Sequence, residues 1–487
     1  MTEENGLITT RFAPSPTGFM HIGNLRTALY SWLLARHSGG RFVLRIEDTD
    51  QERLVEGAVE VIIDTLRVTG LDYDEGPGVG GPHGPYVQSE RKQIYRKYAE
   101  QLVEEGKAYY CFCTPERLQS LHDASGLGGY DRHCRDLSRD EVAARLAAGE
   151  QYVIRQKIPL TGSTSYYDEV FGEIVTENKE LQDQILLKAD GYPTYNFAHV
   201  IDDYLMGVTH VVRGSEYLTS TPKYALLYDA FGWPRPHYVH LPLLMGRGED
   251  GKISKLSKRH GAVSFNELVA DGYLPQAIIN YIALLGWCPK GNNQEIFSLD
   301  ELKAGFTIDA ISKSPSVFDY DKLNWFNSEY IKAMSAEDFA ARVKESLEAV
   351  CPAYVDIPKL AELLHTRVNT LNEAAEKVDF IASRLPFSAE IYTNKKNKTT
   401  PELCAEILAK ILPELQAAPV WANDELFALL KDFAERGGYK SGAVMWAVRV
   451  AVARKDITPG GATELLEVLG RTEALARIEQ ALSELAG

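Results

Sequence analysis

The residues best suited to chemistry fall in three short segments. The first, PSPTGFMHIGN at 14–24, is a loop stiffened by two prolines, in which Gly18 and Gly23 permit close backbone approach. His21 stands where this loop runs into a helix. A helix N-terminus offers free N–H groups and positive dipole density to a phosphate. A histidine there can donate a hydrogen bond to a phosphate that gains charge in a transition state. The second segment, KISKLSKRHG at 252–261, sets Lys252, Lys255, Lys258 and Arg259 among serines and a glycine. That mixture suits a mobile cationic loop closing over phosphate oxygens. Taken alone, a capping histidine and a solvated charge run explain the same residues. The third segment holds Cys111, Cys113 and Cys134. A C-x-C arm followed by a third cysteine is a zinc-type pattern, with Tyr130, His133 and Asp136 open as fourth ligand. Cys288, Cys351 and Cys404 are scattered and read as packing residues.

Regular elements must hold these segments. Residues 7–13 (LITTRFA) predict a buried strand, and 24–38 place Leu25, Ala28, Leu29, Trp32 and Leu33 at helical spacing before a Gly39-Gly40 stop. RFVLRIE at 41–47 predicts a second strand, completing a βαβ unit of a parallel sheet. The glycine- and proline-rich run at 74–85 predicts a loop, and 89–106 an amphipathic helix. Residues 107–190 read as an insertion with short strands, after which the α/β pattern resumes near 185–245. Beyond about 320 helical periodicity dominates, as in 401–416 and 462–487, with NKKNKTTP at 394–401 as a joint.

The chain has 487 residues, 45% hydrophobic and 25% charged, with 52 Lys+Arg against 68 Asp+Glu and a net charge of −16. This composition excludes a wholly disordered chain and a uniformly basic nucleic-acid coat. No stretch approaches the length of a membrane span, so no membrane partner is expected. The N-terminal residues carry no apolar core of a secretory signal, and a cytoplasmic location is expected. Six cysteines are too few for a disulfide framework.

Together HIGN (21–24) and KLSKR (255–259) resemble the two signature sequences of class I aminoacyl-tRNA synthetases. RFAPSPTG at 11–18, RIEDTD at 45–50, QSER at 88–91, LLKADGYPTYNFAHVIDD at 186–203 and STPKYALLYDAFGW at 220–233 narrow the resemblance to the bacterial glutamyl-tRNA synthetase family. The match runs in order over 8–330 and continues more weakly to the C-terminus. It implies a Rossmann-type α/β catalytic domain (1–110 and 191–250) interrupted by an acceptor-stem-binding insertion (111–190). A connecting domain with the KLSKR loop (251–325) and an all-helical anticodon-binding domain (326–487) follow. The helical end sets the chain apart from bacterial glutaminyl-tRNA synthetase, which reads its tRNA with a β-barrel.

The implied activity is ATP-dependent activation of L-glutamate to the adenylate and its transfer to the 3′-terminal ribose of tRNA-Glu. ATP arrives with Mg²⁺, and bound tRNA is needed before activation. The alternative is a form that also charges tRNA-Gln. By the same resemblance His21, Gly23, Asn24, Glu216, Leu244, Lys255, Lys258 and Arg259 meet ATP, with His21 and Lys258 catalytic. Arg11, Ser15, Glu47, Tyr195 and Arg213 surround glutamate, and a guanidinium fork suits its carboxylates. The family's common asparagine at one pocket position is His199 here, which puts its substrate contact in question. Tyr130 matches a tyrosine that joins the three cysteines in some members, implying one structural zinc ion. Arg367 matches an arginine that reads the third anticodon base. A monomer is expected.

A small-molecule nucleotidyltransferase or a transferase acting on a modified tRNA base would lack the helical C-terminal region. A catalytically dead tRNA-binding protein would show damage in HIGN or KLSKR, and both are intact. Among consecutive fifty-residue windows only 251–300 and 351–400 are net positive, with five cations against four anions and seven against six. The polyanionic partner is therefore expected to bind through local cations, while the acidic remainder suppresses non-specific RNA binding.

Overall fold

A computed structural model describes residues 7–125, 130–248, 250–257, 260–261, 263–289, 291 and 293–486. The chain divides into two compact units, one of 1–268 with 278–319 and the other of 269–277 with 320–487. The segment expected as a connecting domain, 251–325, is thus shared between them.

The first unit begins with β1 (Thr9–Phe12), a 16-residue helix (Ile22–His37) and β2 (Arg41–Leu44). β1 and β2 pair in parallel, Thr9 opposite Arg41 and Phe12 opposite Leu44. Leu25, Ala28, Leu29 and Leu33 of the helix are fully buried, as expected for a crossover helix sealing a parallel sheet. β3 (Ala108–Cys111), β4 (Val153–Gln156) and β7 (Ile185–Leu187) form an antiparallel sheet in the order β3-β4-β7. Between the last two come β5 (Ser163–Asp168) and β6 (Gly172–Glu177), an antiparallel hairpin. They leave the expected insertion and extend the main sheet, which runs β6-β5-β9-β8 with β8 (His210–Gly214) and β9 (His237–Leu241) parallel. The Thr209 N–H donates to Thr9 O at 2.9 Å, laying β8 beside β1. A third sheet, β11-β10-β12, joins Leu244–Arg247 (β10), Ile253–Lys255 (β11) and Ser316–Phe318 (β12).

The second unit is helical. Its core includes Phe339, Val343 and Leu347 of helix Ala336–Val350 packed with Leu360 and Leu364 of Ile357–His365. Burying each such side chain contributes about 1.5–3 kcal/mol. Ser335, Asp356 and Thr400 cap helices by accepting from Asp338, Lys359 and Leu403 N–H at 3.1, 3.2 and 3.3 Å. The joint expected at 394–401 is a tight turn inside this unit, closed by paired backbone hydrogen bonds between Asn394 and Thr399. The C-terminal helix (Ala462–Ala486) breaks at Gly470, where φ is +73° and ψ 159°. Among the described residues no helix is long and apolar enough to cross a membrane.

Candidate active site

The first unit holds a cavity of about 800 Å³ at the carboxyl ends of its parallel strands, the usual place for ligands in open α/β sheets. Arg11 and Phe12 end β1, and Arg213 and Gly214 end β8. Ser15, His21, Gly23 and Asn24 enter from the loop after β1 and the helix it feeds. Glu47 follows β2, Tyr195 begins helix Tyr195–Leu205, and Glu216 follows β8. Leu244 and Lys255 come from the third sheet. All of the expected ATP and glutamate residues that are described therefore line one space. Lys258 and Arg259 lie outside the described residues. The residues just beyond the second signature pair with the first segment: Ile22 N–H donates to Val263 O at 2.9 Å, and Phe265 N–H to Met20 O at 3.0 Å.

His21 is the N-cap of helix Ile22–His37, its Nδ1 accepting from Gly23 N–H at 3.0 Å. An accepting Nδ1 leaves the proton of the neutral ring on Nε2. Burial, and then the charge of Lys255, hold His21 below its ordinary pKa. The side chain is thus a neutral donor at a helix N-terminus. Glu216 folds back on Gly214, where a Cβ would meet its carboxylate at 2.0 Å, so a larger residue there would displace that carboxylate.

A buried ionic network underlies the acid-binding end. Arg11 Nε donates to Asp203 Oδ1 at 3.0 Å and its NH1 to Val212 O at 3.2 Å. Arg45 reaches Asp203 at 2.8 Å and Glu47 at 2.9 Å. Asp202 pairs with Arg91 at 2.7 Å and accepts from Gln88 and Tyr95 at 2.9 and 2.8 Å. Tyr195, His199, Asp202 and Asp203 share one helix face at spacings of four, seven and eight. Burial pushes the Glu47 carboxyl up to about 7 against the pull of Arg45 and Arg11. Burial also raises Asp203, but Arg11 and Arg45 outweigh it and hold that carboxyl well below the usual range.

Arg213 differs from Arg11 and Arg45. It is 4% exposed, yet among the described residues no carboxylate pairs with it. Its Nε donates to His240 Nε2 at 3.0 Å and its NH2 to Thr221 Oγ1 at 2.7 Å. His199 Nδ1 lies 2.8 Å from Tyr195 O, so Nδ1 carries the proton and Nε2 turns a lone pair toward Arg213 NH1 at 3.4 Å. His199 also stacks on Tyr195 with centroids 4.9 Å apart, and burial, then Arg213, push its pKa down to about 3. Its place is behind the guanidinium, as a neutral packing and orienting group. Among the described residues its charge therefore faces only neutral acceptors, an arrangement that is costly to bury without a counter-ion.

Sequence reading missed several participants. Arg45 lies two positions before Glu47, and the period-two alternation of a strand could have signalled that they share a side. Thr49, Asp50, Arg53 and Tyr217 also line the cavity, and no local pattern distinguishes them.

In the cysteine segment the three sulfurs lie within 4.8 Å of one another. Cys113 and Cys134 Sγ are 3.6 Å apart, and Tyr130 Oη lies 3.2 Å from Cys111 Sγ and 3.9 Å from Cys113 Sγ. Tetrahedral ligands at zinc distances stand roughly 3.5–3.8 Å apart; Cys113 and Cys134 meet that spacing, and Tyr130 lies a few tenths of an ångström to either side of it. His133 and Asp136 are exposed, and Asp136 faces Lys157 at 3.6 Å. In the helical unit Arg367 follows helix Ile357–His365; its NH2 pairs with Glu464 at 2.9 Å and its NH1 donates to Leu363 O at 2.7 Å.

Comparison with known proteins identifies the family of the chain. Residues 7–325 match the family described as tRNA synthetases class I (E and Q), catalytic domain, and 323–482 match the anticodon binding domain. The chain is 52% identical over 482 residues to a glutamate–tRNA ligase of Clostridium botulinum and 51% identical to one of Clostridium tetani, covering 98% of each chain in both pairs. A crystal structure of a glutamate tRNA ligase from Elizabethkingia meningosepticum in complex with its amino acid superposes with TM-score 0.88 at 34% identity, covering 98% of this chain and 100% of that one. A glutamate-tRNA synthetase from Elizabethkingia anophelis gives 0.87 at 33%, covering 98% and 99%. Matched by both family models and half identical to these ligases over nearly the whole length, this protein belongs to the glutamate–tRNA ligase family of class I aminoacyl-tRNA synthetases.

Proposed function

We propose that the cavity joins L-glutamate to ATP and passes the product to tRNA-Glu. The carrying observation is Arg213: a buried guanidinium with only neutral acceptors, in the same space as His21. Arg213 takes the side-chain carboxylate of glutamate, because Arg11 is already committed to Asp203. Glu47 takes the ammonium, with Ser15 and Tyr195 completing the wall. Gly23, Asn24, Glu216 and Leu244 border the nucleotide.

The substrate's α-carboxylate attacks the α-phosphorus of ATP, the bond to pyrophosphate breaks, and glutamyl-adenylate forms. His21 Nε2–H and the free N–H groups at its helix terminus meet the charge that grows on phosphate oxygens. Lys255, Lys258 and Arg259 neutralise the leaving pyrophosphate. Mg²⁺, brought by ATP, adds charge neutralisation at the phosphates. A ribose hydroxyl of the tRNA then attacks the acyl carbon and AMP departs. No side-chain nucleophile is needed; the site works by positioning and electrostatics.

Segment 111–190 supports the acceptor stem, and Cys111, Cys113, Cys134 and Tyr130 would hold a zinc ion that fastens β3 to residues 130–134. Region 326–487 carries the anticodon contact, with Arg367 at the third base. The enzyme acts as a cytoplasmic monomer. Charging of tRNA-Gln as well is not favoured by relatives that are glutamate–tRNA ligases. Aminoacylation of purified tRNA-Glu and tRNA-Gln, scored separately, tests activity and substrate together; failure to charge tRNA-Glu would overturn the proposal.

A further inference from the structure

Three adjacent strands meet behind Arg213. In the parallel pairing of β8 with β9, Arg213 lies opposite His240. Asp168 ends β5, on the other side of β9. Arg213 is 4% exposed, and His240 and Asp168 are 0% exposed. His240 Nδ1 lies 2.6 Å from Asp168 Oδ2, and the His240 backbone N–H donates to the same oxygen at 3.2 Å. Asp168 Oδ1 accepts from Val170 and Phe171 N–H at 3.0 and 2.8 Å, which locks the carboxylate. A carboxylate only accepts, so Nδ1 carries the imidazole proton and Nε2 is left with a lone pair. That lone pair receives Arg213 Nε–H at 3.0 Å.

We propose that His240 and Asp168 are positioning residues for glutamate recognition, a carboxylate–imidazole pair that aims Arg213 into the cavity without neutralising it. The proposal rests on the reading of Arg213 as the carboxylate receptor. A carboxylate placed directly on Arg213 would pair with it and compete with the substrate. An imidazole between them keeps the negative charge one residue away while supplying the acceptor that fixes the fork. Thr221 Oγ1, which donates to Tyr217 O at 2.8 Å, fixes a second edge of the same guanidinium.

The test uses the full-length enzyme in steady-state aminoacylation of tRNA-Glu, with melting curves for each variant. His240→Asn keeps an amide toward Asp168 but has no atom at the Nε2 position. His240→Gln places an amide oxygen near that position. Losing the acceptor is expected to raise the glutamate KM about tenfold or more, with kcat and the ATP KM within about twofold, and His240→Gln is expected to recover most of the loss. Asp168→Asn presents an N–H to Nδ1, inverts the tautomer and turns Nε2–H against Arg213 Nε–H, so it is expected to raise the glutamate KM similarly. Equal effects of His240→Gln and His240→Asn, or a glutamate KM within about twofold of the parent in His240→Asn, would overturn the proposal. If His240→Asn melts below the assay temperature, Asp168→Asn decides by the same readout. Arg213→Ala runs alongside. If it leaves the glutamate KM unaltered, the reading of the pocket fails; if it raises KM while His240→Asn does not, only the positioning role fails.

Discussion

His21 does two jobs with two nitrogens, and substitution can separate them. Nδ1 caps the helix by accepting from Gly23 N–H at 3.0 Å, and among the described residues no acceptor takes Nε2–H, the group proposed to meet a phosphate. His21→Asn keeps an oxygen where Nδ1 stood, and asparagine is among the best N-caps. It removes the Nε2–H. His21→Ala removes both. The cap is worth about 1 kcal/mol, which in a unit this large lowers the melting temperature by about 2 °C. A lost transition-state donor costs roughly 100- to 1000-fold in rate. The expected pattern is a His21→Asn protein that melts like the parent but exchanges pyrophosphate into ATP at least about 100-fold more slowly. His21→Ala should be equally slow and slightly less stable. Because burial and Lys255 hold the ring neutral, raising the pH from 7 to 8 should not change the parent's dependence on this donor. Exchange is measured with tRNA-Glu and glutamate present. An unchanged exchange rate in His21→Asn would falsify the donor role.

Glu47, raised to about 7 by burial, must be ionised to pair with the substrate ammonium. The glutamate KM should therefore be flat above about pH 8 and rise toward tenfold per unit as pH falls below 7; Glu47→Gln should flatten that profile, and a parent profile without an acid limb would contradict the pairing. Purified protein should contain about one zinc ion per chain, and Cys113→Ser should drop below about 0.2 and melt at lower temperature, as read by metal analysis and calorimetry. Arg367→Gln should cut the preference for tRNA-Glu over tRNA-Gln about tenfold, and an unaltered ratio would remove Arg367 from anticodon reading. Since 251–300 and 351–400 are the net-positive windows of an otherwise acidic chain, the tRNA KM should rise steeply between about 50 and 200 mM salt; a flat response would contradict local electrostatic binding.

Much of this site was legible in residue order because its chemistry is written in contiguous segments. A loop that ends in His-x-Gly before a run of apolar residues at helical spacing has few folded outcomes, and the helix from Ile22 to His37 formed where the periodicity placed it. The helical end was legible for the same reason: local spacing decides helices. The insertion was less so. β5 and β6 read as part of 107–190 but pair into the main sheet beside β9, since strand partners are chosen by non-local hydrogen bonds that no local pattern records.

What residue order alone determined is the inventory: which cations, which acids, which thiols, and on which elements. What the tertiary structure decided is their state. Arg11 and Arg213 are both arginines beside a strand end, and nothing in their neighbours along the chain tells them apart. Only folding gives one Asp203 and gives the other two histidines and a threonine. Glu464, 97 positions beyond Arg367, becomes its partner by the same route. Charge, tautomer and availability depend on what is packed within a few ångströms. In a folded chain those neighbours are residues that the sequence keeps far apart.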